Sequence, residues 1–397
     1  MNNSTLTLYL EINDFNFIFF VTENNVDNDF KVNYKLITPL GGIENNRVSD
    51  LKKISETIRE NIFLIEKKFN HTFKEIILIL ENFDPKFINF TGFKKLNGSQ
   101  IIRENITYIL NTLKSCVDKT ETKLNILHIF NSNYKLDKKK IDNLPIGLFG
   151  DFYSHELSFN LINKNDLKNL KNIFNDCNLK IKKIFLKSFI VGANISNNYL
   201  DTNTFFKIKI KQDISKIFYF ENDSLKYEQS FKFGSNIIIK DILKITLLKK
   251  DIIEIMLNEI MLDKNISENE LIDENFFKDL PYRKIKKKLI YDISLARIEE
   301  ILNVIIFKNI NINFYNKQSK FVFFEIENEL HSKGLKAVFK ETFQSNNYEV
   351  KFLDKFSDEK LLKTVNKLVH FGWKKEAIPT SHPRKSLIAR FFEAIFD

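Results

Sequence analysis

Side chains suited to nucleophilic or metal chemistry are few in this sequence, and their spacing does not bring them together. Cys116 and Cys177 are the only cysteines, too few for a disulfide framework or a metal knuckle. Both sit in helical patterns and are expected as small core residues. The six histidines show no HxxxH spacing beside a carboxylate, so no metal site is expected. No catalytic residue is assigned. The chemistry that the spacing supports is interfacial. Over 386–397, Leu387, Ile388, Phe391, Phe392, Ile395 and Phe396 take one half of a helical wheel. Ala389, Arg390, Glu393, Ala394 and Asp397 take the other, with Arg384 and Lys385 just upstream. An apolar face flanked by cations suits insertion into a membrane interface, with Arg390 turned to the headgroups. Docking on the protein's own core is the commoner fate of such a helix. The preceding segment, 374–385, is polar and carries Pro379 and Pro383, reads as a tether, and favours the membrane.

Composition narrows the remaining classes. At 397 residues the chain can bury a large core and hold two or more lobes. Its 43% hydrophobic content suits a soluble globular protein. A net charge of +10 invites a nucleic-acid reading, but lysine is spread along the whole length. The denser basic runs, Lys138–Lys140 and Lys284–Lys288, lack neighbouring aromatic stackers and read as solvated faces, so no nucleic-acid partner is expected. A weak attraction to anionic membrane surfaces follows from the charge. No basic region leads into a long apolar run, and no stretch reaches about 18 apolar residues. The expected location is cytoplasmic, with peripheral membrane contact only.

The elements that position these residues follow from periodicity. Residues 6–21 read as two strands, Leu8–Ile12 and Phe15–Val21, joined by a turn at Asn13-Asp14. A helix follows with Leu51, Ile54, Ile58, Ile62, Ile65 and Phe69 on one face, then a buried strand at Ile76–Leu80. A strand near Lys86–Asn89 precedes a helix carrying Ile102, Ile106, Ile109, Leu113 and Val117. The next stretch is the most distinctive. Strand Leu124–Phe130 leads through a polar corner, Asn131–Tyr134, and a Leu136-Asp137 step to Leu144-Pro145-Ile146-Gly147-Leu148-Phe149-Gly150. In the strand His155–Ile162, Leu157, Phe159 and Leu161 alternate with Glu156, Ser158 and Asn160. Pro145, Gly147 and Gly150 make the link a shaped turn. Farther on come a helix with Leu167, Leu170, Phe174 and Cys177, strand Lys180–Phe185 and helix Ser188–Ile195. Helices are expected over Asp241–Leu262 and Leu289–Phe307, and a strand over Lys320–Phe324.

In the order of its parts, 124–162 resembles the inserted SHS2-type subdomain of FtsA, the actin-like protein of the bacterial cell-division ring. Ile126-Leu127-His128, Tyr134, Leu136-Asp137, Pro145, Gly147-Leu148 and Gly150 stand where that family has its motif residues. Gly234, Asp241-Ile242 and Arg297-Ile298-Glu299-Glu300-Ile301 match further family segments. The resemblance implies an α/β protein with a two-lobed actin-like fold, of the kind shared by actin, Hsp70 and sugar kinases. It also implies the inserted α+β subdomain and the C-terminal amphipathic helix. The implied division is a first lobe from 1–82 and 164–203, the inserted unit at 83–163 and a second lobe at 204–350. Segment 351–373 then returns to the first lobe as a helix, before the tether and the terminal helix.

The same resemblance places a nucleotide among Glu11, Asn13, Gly234 and Asp241. Against the family's glycine-bearing loops, this chain offers Glu11-Ile12-Asn13-Asp14, Lys209 to Lys216, and Phe324-Glu325-Ile326-Glu327, with Glu329 beyond. Backbone amides cradle phosphate only where side chains allow close approach, and these loops lack the glycines. ATP is therefore expected to bind weakly at a degenerate site, with little or no turnover. The implied role is a membrane-tethered adaptor that anchors FtsZ-type filaments, associates with itself and recruits other division proteins. Its implied place is against anionic lipid of the inner membrane, at the septum. An actin-fold ATPase with atypical loops and a PilM-like pilus-assembly scaffold are the alternatives.

Overall fold

A computed structural model describes residues 5–24, 30–44, 47–81, 83–277, 281–327 and 329–377. The tail residues Leu387, Ile388, Arg390, Phe391, Phe392, Ile395 and Phe396, and the tether beyond Ala377, lie outside the described residues.

In chain order the structure opens with strands β1 (Thr5–Ile12), β2 (Asn16–Asn24) and β3 (Phe30–Pro39). A short hairpin, β4 (Ile43–Glu44) and β5 (Arg47–Val48), precedes α1 (Leu51–Phe69) and β6 (Glu75–Leu80). Then come β7 (Lys86–Lys95), α2 (Arg103–Thr120), β8 (Leu124–Leu136), β9 (Lys139–Ile141), β10 (Phe152–Asn163) and α3 (Lys164–Asp176). They are followed by β11 (Lys180–Leu186), α4 (Lys187–Asn198), β12 (Phe205–Ile210), β13 (Ser215–Glu221) and β14 (Ser224–Phe231). The remainder is α5 (Asn236–Thr246), α6 (Lys250–Glu259), α7 (Lys287–Leu302), α8 (Asn313–Asn316), β15 (Phe321–Ile326), α9 (Glu329–Ser345), β16 (Glu349–Phe352) and α10 (Asp358–Phe371).

One compact unit is drawn from Met1–Gly41, Glu60–Asn82 and Leu179–Phe371. It holds two five-stranded sheets, ordered β11-β6-β1-β2-β3 and β14-β13-β12-β15-β16. Each is the same figure: three strands in an antiparallel meander, extended by two parallel strands. Parallel extensions need covering helices, and the second sheet packs with α5, α6, α7 and α9 around Ile208, Ile210, Ile238, Ile253, Ile298 and Phe324. The turn at Asn222-Asp223 joins β13 to β14 with both residues at positive φ, +48° and +62°, which matches the twist of a tight hairpin. Lys207 alternates with Ile208 along β12 and is nevertheless buried, where it pairs with Glu325.

The helix expected over 241–262 is two helices. Leu247, at φ +55°, ends α5 by returning its amide to the Leu243 carbonyl. Residue 51, placed on the apolar face of α1, is exposed, while Ile54, Ile58, Ile62 and Ile65 are buried as expected.

A second unit comprises Gly42–Arg59, Phe83–Asn178 and the described part of Gly372–Asp397. Its sheet runs β7-β10-β8-β9, with α2 laid against β7 and buried at Ile109, Leu110 and Val117. The polar corner expected at Asn131–Tyr134 is strand: β8 continues through it by a bulge that leaves Ser132 out of register with β10. His155 is fully buried between Tyr134 and Tyr153, and burial lowers its pKa to about 4, so it is a neutral core residue. Cys116 is exposed and Cys177 half-buried at the end of α3, so neither is the core residue that its helical pattern suggested. Residues 375–377, the start of the expected tether, pair with β8: the Asn131 amide donates to the Lys375 carbonyl and the Ala377 amide to the Ile129 carbonyl.

Candidate functional site

The first unit contains a cavity of about 540 Å³ lined by Glu11, Glu81, Lys187, Lys207, Lys216 and Glu325, among others. Its charged side chains come from strand ends and hairpin tips. Glu11 sits near the end of β1, and Asn13 shapes the β1–β2 turn, its side-chain oxygen accepting from the Phe15 and Asn16 amides at 2.9 and 2.8 Å. Glu81 follows β6, whereas Lys187 opens α4 directly after β11. Lys211 and Lys216 flank the β12–β13 turn, which the Lys211 amide closes on the Ile214 carbonyl.

These groups form a continuous ion-pair network. Lys187 donates to Glu11 at 2.6 Å and to Glu81 at 2.7 Å. Lys211 donates to Asp14 at 2.7 Å and to Glu81 at 2.9 Å. Lys216 reaches Asp14 at 3.2 Å and the Glu81 backbone carbonyl at 2.7 Å. Asp14 at the tip of one hairpin is thereby held by two lysines that flank the tip of the other. Burial opposes charge on Glu81, but Lys187, Lys211 and Lys216 outweigh it and hold its carboxyl well below the usual range. Burial likewise opposes charge on Lys187, and Glu81 and Glu11 more than restore it, raising its pKa.

A second cluster lies on β12 and β15. Lys207 donates to Glu325 at 2.8 Å, and Lys209 lies 3.7 Å from Glu325 and 3.4 Å from Glu327. Burial lowers the Lys207 pKa to about 8 although Glu325 favours its charge. Glu325 is pushed upward by burial and, more strongly, downward by Lys207 and Lys209, so it stays ionised. Glu228 is different: burial raises its pKa despite Lys216 and a hydrogen bond with Ser188.

Of the four residues expected around a nucleotide, Glu11 and Asn13 line this cavity and Gly234 and Asp241 do not. Gly234 lies beneath the β12–β13 turn, where a Cβ would come within 2.1 Å of the Lys211 carbonyl oxygen. The next two amides, of Ser235 and Asn236, donate to the Lys211 and Gln212 carbonyls, both at 2.9 Å. The donors that open α5 are thus occupied by the protein's own backbone. Asp241 pairs with Arg297 of α7, which also holds Glu300, and so ties two helices of the second sheet's outer layer.

Glu81, Lys187 and Glu228 were not anticipated, whereas Lys216 closes the 209–216 stretch set against the family's second phosphate loop. For Glu81 and Lys187 the one signal in sequence is position, a charged residue at the end of a buried strand and at a strand–helix junction. A polyphosphate entering this cavity would meet Lys187, Lys207, Lys209 and Lys216 already facing carboxylates and Lys35 paired with Asp358, with Lys355 also in the lining, and would have to displace those carboxylates to be bound by the paired lysines.

No family model matches the chain. The cell division protein FtsA of Buchnera aphidicola subsp. Baizongia pistaciae (strain Bp) is 25% identical over 277 residues, 66% of this chain and 64% of that protein. The match therefore spans less than two thirds of the relative's own length. Among solved structures, a chain of a PilM–PilN type IV pilus biogenesis complex aligns over 91% of this chain and 95% of its own, at TM-score 0.50 and 10% identity. MreB5 of Spiroplasma citri bound to ADP aligns over the same shares at TM-score 0.44 and 11% identity. The pilus-protein likeness bears on fold alone, and there it agrees with the doubled sheet. Sequence likeness and fold together make this chain an FtsA-like protein of the actin-like fold.

Proposed function

We propose that this chain is a cell-division adaptor that works without nucleotide turnover. In this reading its C-terminal helix holds it on the cytoplasmic face of the inner membrane at the division septum. It anchors FtsZ-type filaments, associates with further copies of itself and recruits other division proteins, with anionic lipid as its surface. The likeness to FtsA supports the division role. One observation carries the absence of turnover: Asp14 of one hairpin is cross-linked to Lys211 and Lys216 beside the other, and Glu81 completes the set with Lys187. A bound phosphate group would need those lysines and close backbone amides. Lys187, Lys211 and Lys216 are neutralised internally, and the amides that open α5 are taken. The residues present do not fit a triphosphate, and no chemical step is assigned to one.

The test is calorimetric titration of the full chain with ATP and magnesium. The expected result is no saturable heat, a dissociation constant weaker than about 1 mM. Sub-millimolar binding, or hydrolysis above a blank that disappears in Glu11→Gln, would overturn the ligand-free reading. Septal localisation of a fluorescent fusion tests the division role separately.

A further inference from the structure

We propose that one end of the β7-β10-β8-β9 sheet is a second membrane-contact surface, which inserts shallowly into anionic lipid. The end of β7, the start of β10 and the β8–β9 hairpin all meet there: Lys95 pairs with Phe152, Tyr153 with Leu136, and Leu136 with Lys139. The loops leaving this end display Ile102, Ile146, Leu148 and Phe149, beside Phe93 and Phe152, all exposed, with Phe149 at 69%. Phe93 and Phe152 stack on each other at 5.5 Å, so they form one apolar surface.

This display is built by the fold. The Ile101 amide donates to the Leu148 carbonyl at 2.8 Å, and the Gly147 amide returns to the Ile101 carbonyl at 2.9 Å. The Leu96 amide donates to the Asp151 carbonyl at 2.8 Å, and Asp137 accepts from the Asp151 and Phe152 amides. Gly147 holds φ +90°, a conformation that a side chain would resist. A turn braced this way presents its apolar residues outward at little further ordering cost on binding.

Two observations select lipid as the occupant. In sequence, Lys95, Arg103, Lys138, Lys139 and Lys140 flank the apolar residues, with Lys94 over the Tyr108 ring of α2, against the carboxylates Glu104, Asp137, Asp142 and Asp151. Asp137 is engaged internally, which leaves the rim cationic. The second is the route of the chain. Residues 375–377 pair along β8, and the Lys375 ammonium reaches the Asp142 carbonyl at 3.3 Å, next to this loop. The segment leading to the amphipathic tail therefore departs from the sheet that bears the patch, running antiparallel to β8 and away from the patch end after Lys375. The second argument rests on the membrane role proposed for that tail; the first does not.

The experiment uses the full chain, the Ile146→Asp/Phe149→Asp variant and the tail variant Phe391→Asp/Phe392→Asp, each with vesicles of neutral lipid or of neutral lipid plus phosphatidylglycerol. Both substituted patch positions are exposed, so their melting temperature should match the wild type. The patch variant should partition roughly tenfold less onto anionic vesicles, since each large side chain is only partly buried at an interface. Phe149→Trp should be quenched by brominated anionic lipid beyond the baseline of the one native tryptophan, Trp373. This quenching should persist, weaker, in the tail variant. Partition unchanged in the patch variant, with no quenching at 149, would overturn the proposal even if the tail variant loses binding. A patch variant that alters sedimentation without lipid would also overturn it, and would give the surface to a second copy of the chain.

Discussion

Glu81 is shared by three ammonium groups, and no other carboxylate in the cavity has as many partners. Glu81→Gln keeps the shape but leaves Lys187, Lys211 and Lys216 with one carboxylate fewer in a buried setting. Breaking a buried ionic cluster on one side costs about 3–5 kcal/mol, and urea denaturation at neutral pH should report a loss of that order. The pH dependence has a definite sign. The folded pKa of Glu81 lies below its ordinary value, so the unfolded chain binds the proton more tightly. Its contribution is complete above the ordinary carboxylate range, about pH 4–5, and is lost as pH falls through that range towards the folded value. The gap between wild type and Glu81→Gln should therefore close on acidification. A gap constant down to about pH 3 would mean that the charge on Glu81 contributes nothing. Little of this network was legible in sequence. Glu11 and Asn13 stand out only because the family resemblance places a phosphate loop at the turn between the first two strands. Glu81, Lys187 and Lys216 follow or open separate elements, and a strand pattern says nothing of which charges will meet.

More of the individual elements was legible in the sequence, and the misses differ in cause. Alternation located β1, β2 and β10, and spacing located α1, α2, α3, α4 and α7. The break between α5 and α6 was missed because Leu247 enters the left-handed region without the glycine that usually marks such an end. β3 had no place in the sequence account although Phe30, Val32, Tyr34 and Leu36 alternate. The corner at 131–134 looked polar because a bulge interrupts the period of two. Glycines test whether these elements are placed correctly. Gly234→Ala drives a methyl group to 2.1 Å from the Lys211 carbonyl oxygen, which is backbone and cannot rotate away. It should displace the β12–β13 turn and cost about 1–3 kcal/mol, read as a fall in thermal stability. Gly147→Ala meets only the far end of Gln100, at 3.7 Å, but must hold φ +90°. Its cost is conformational strain in the braced loop alone, about 1–2 kcal/mol. If Gly234→Ala proves as stable as the wild type, the close approach of α5 to the turn is wrong.

For the whole molecule, the proposed function places control in where the protein is held, since Lys187, Lys211 and Lys216 are already matched to carboxylates inside the fold. No helix of the described residues is long and apolar enough to cross a membrane. In the proposed function the C-terminal segment is the element on which attachment turns. Phe391 and Phe392 lie centrally in its apolar half, and a large side chain fully removed from water contributes roughly 1.5–3 kcal/mol. Interfacial burial is partial, so replacing both with Asp should remove most of the tail's affinity and add repulsion from anionic lipid. One short helix binds reversibly, and attachment should strengthen where several copies of the chain assemble and their tails act together. Vesicle co-sedimentation of the intact chain, of a chain ending at Lys385 and of the Phe391→Asp/Phe392→Asp variant decides the matter. The intact chain should sediment with anionic vesicles, more steeply at higher protein density on the membrane, and the other two should retain only what the sheet-end patch supplies. Equal sedimentation of all three would remove the tail from the mechanism. A lower melting temperature for the truncated chain would show instead that the helix packs on the protein's own core.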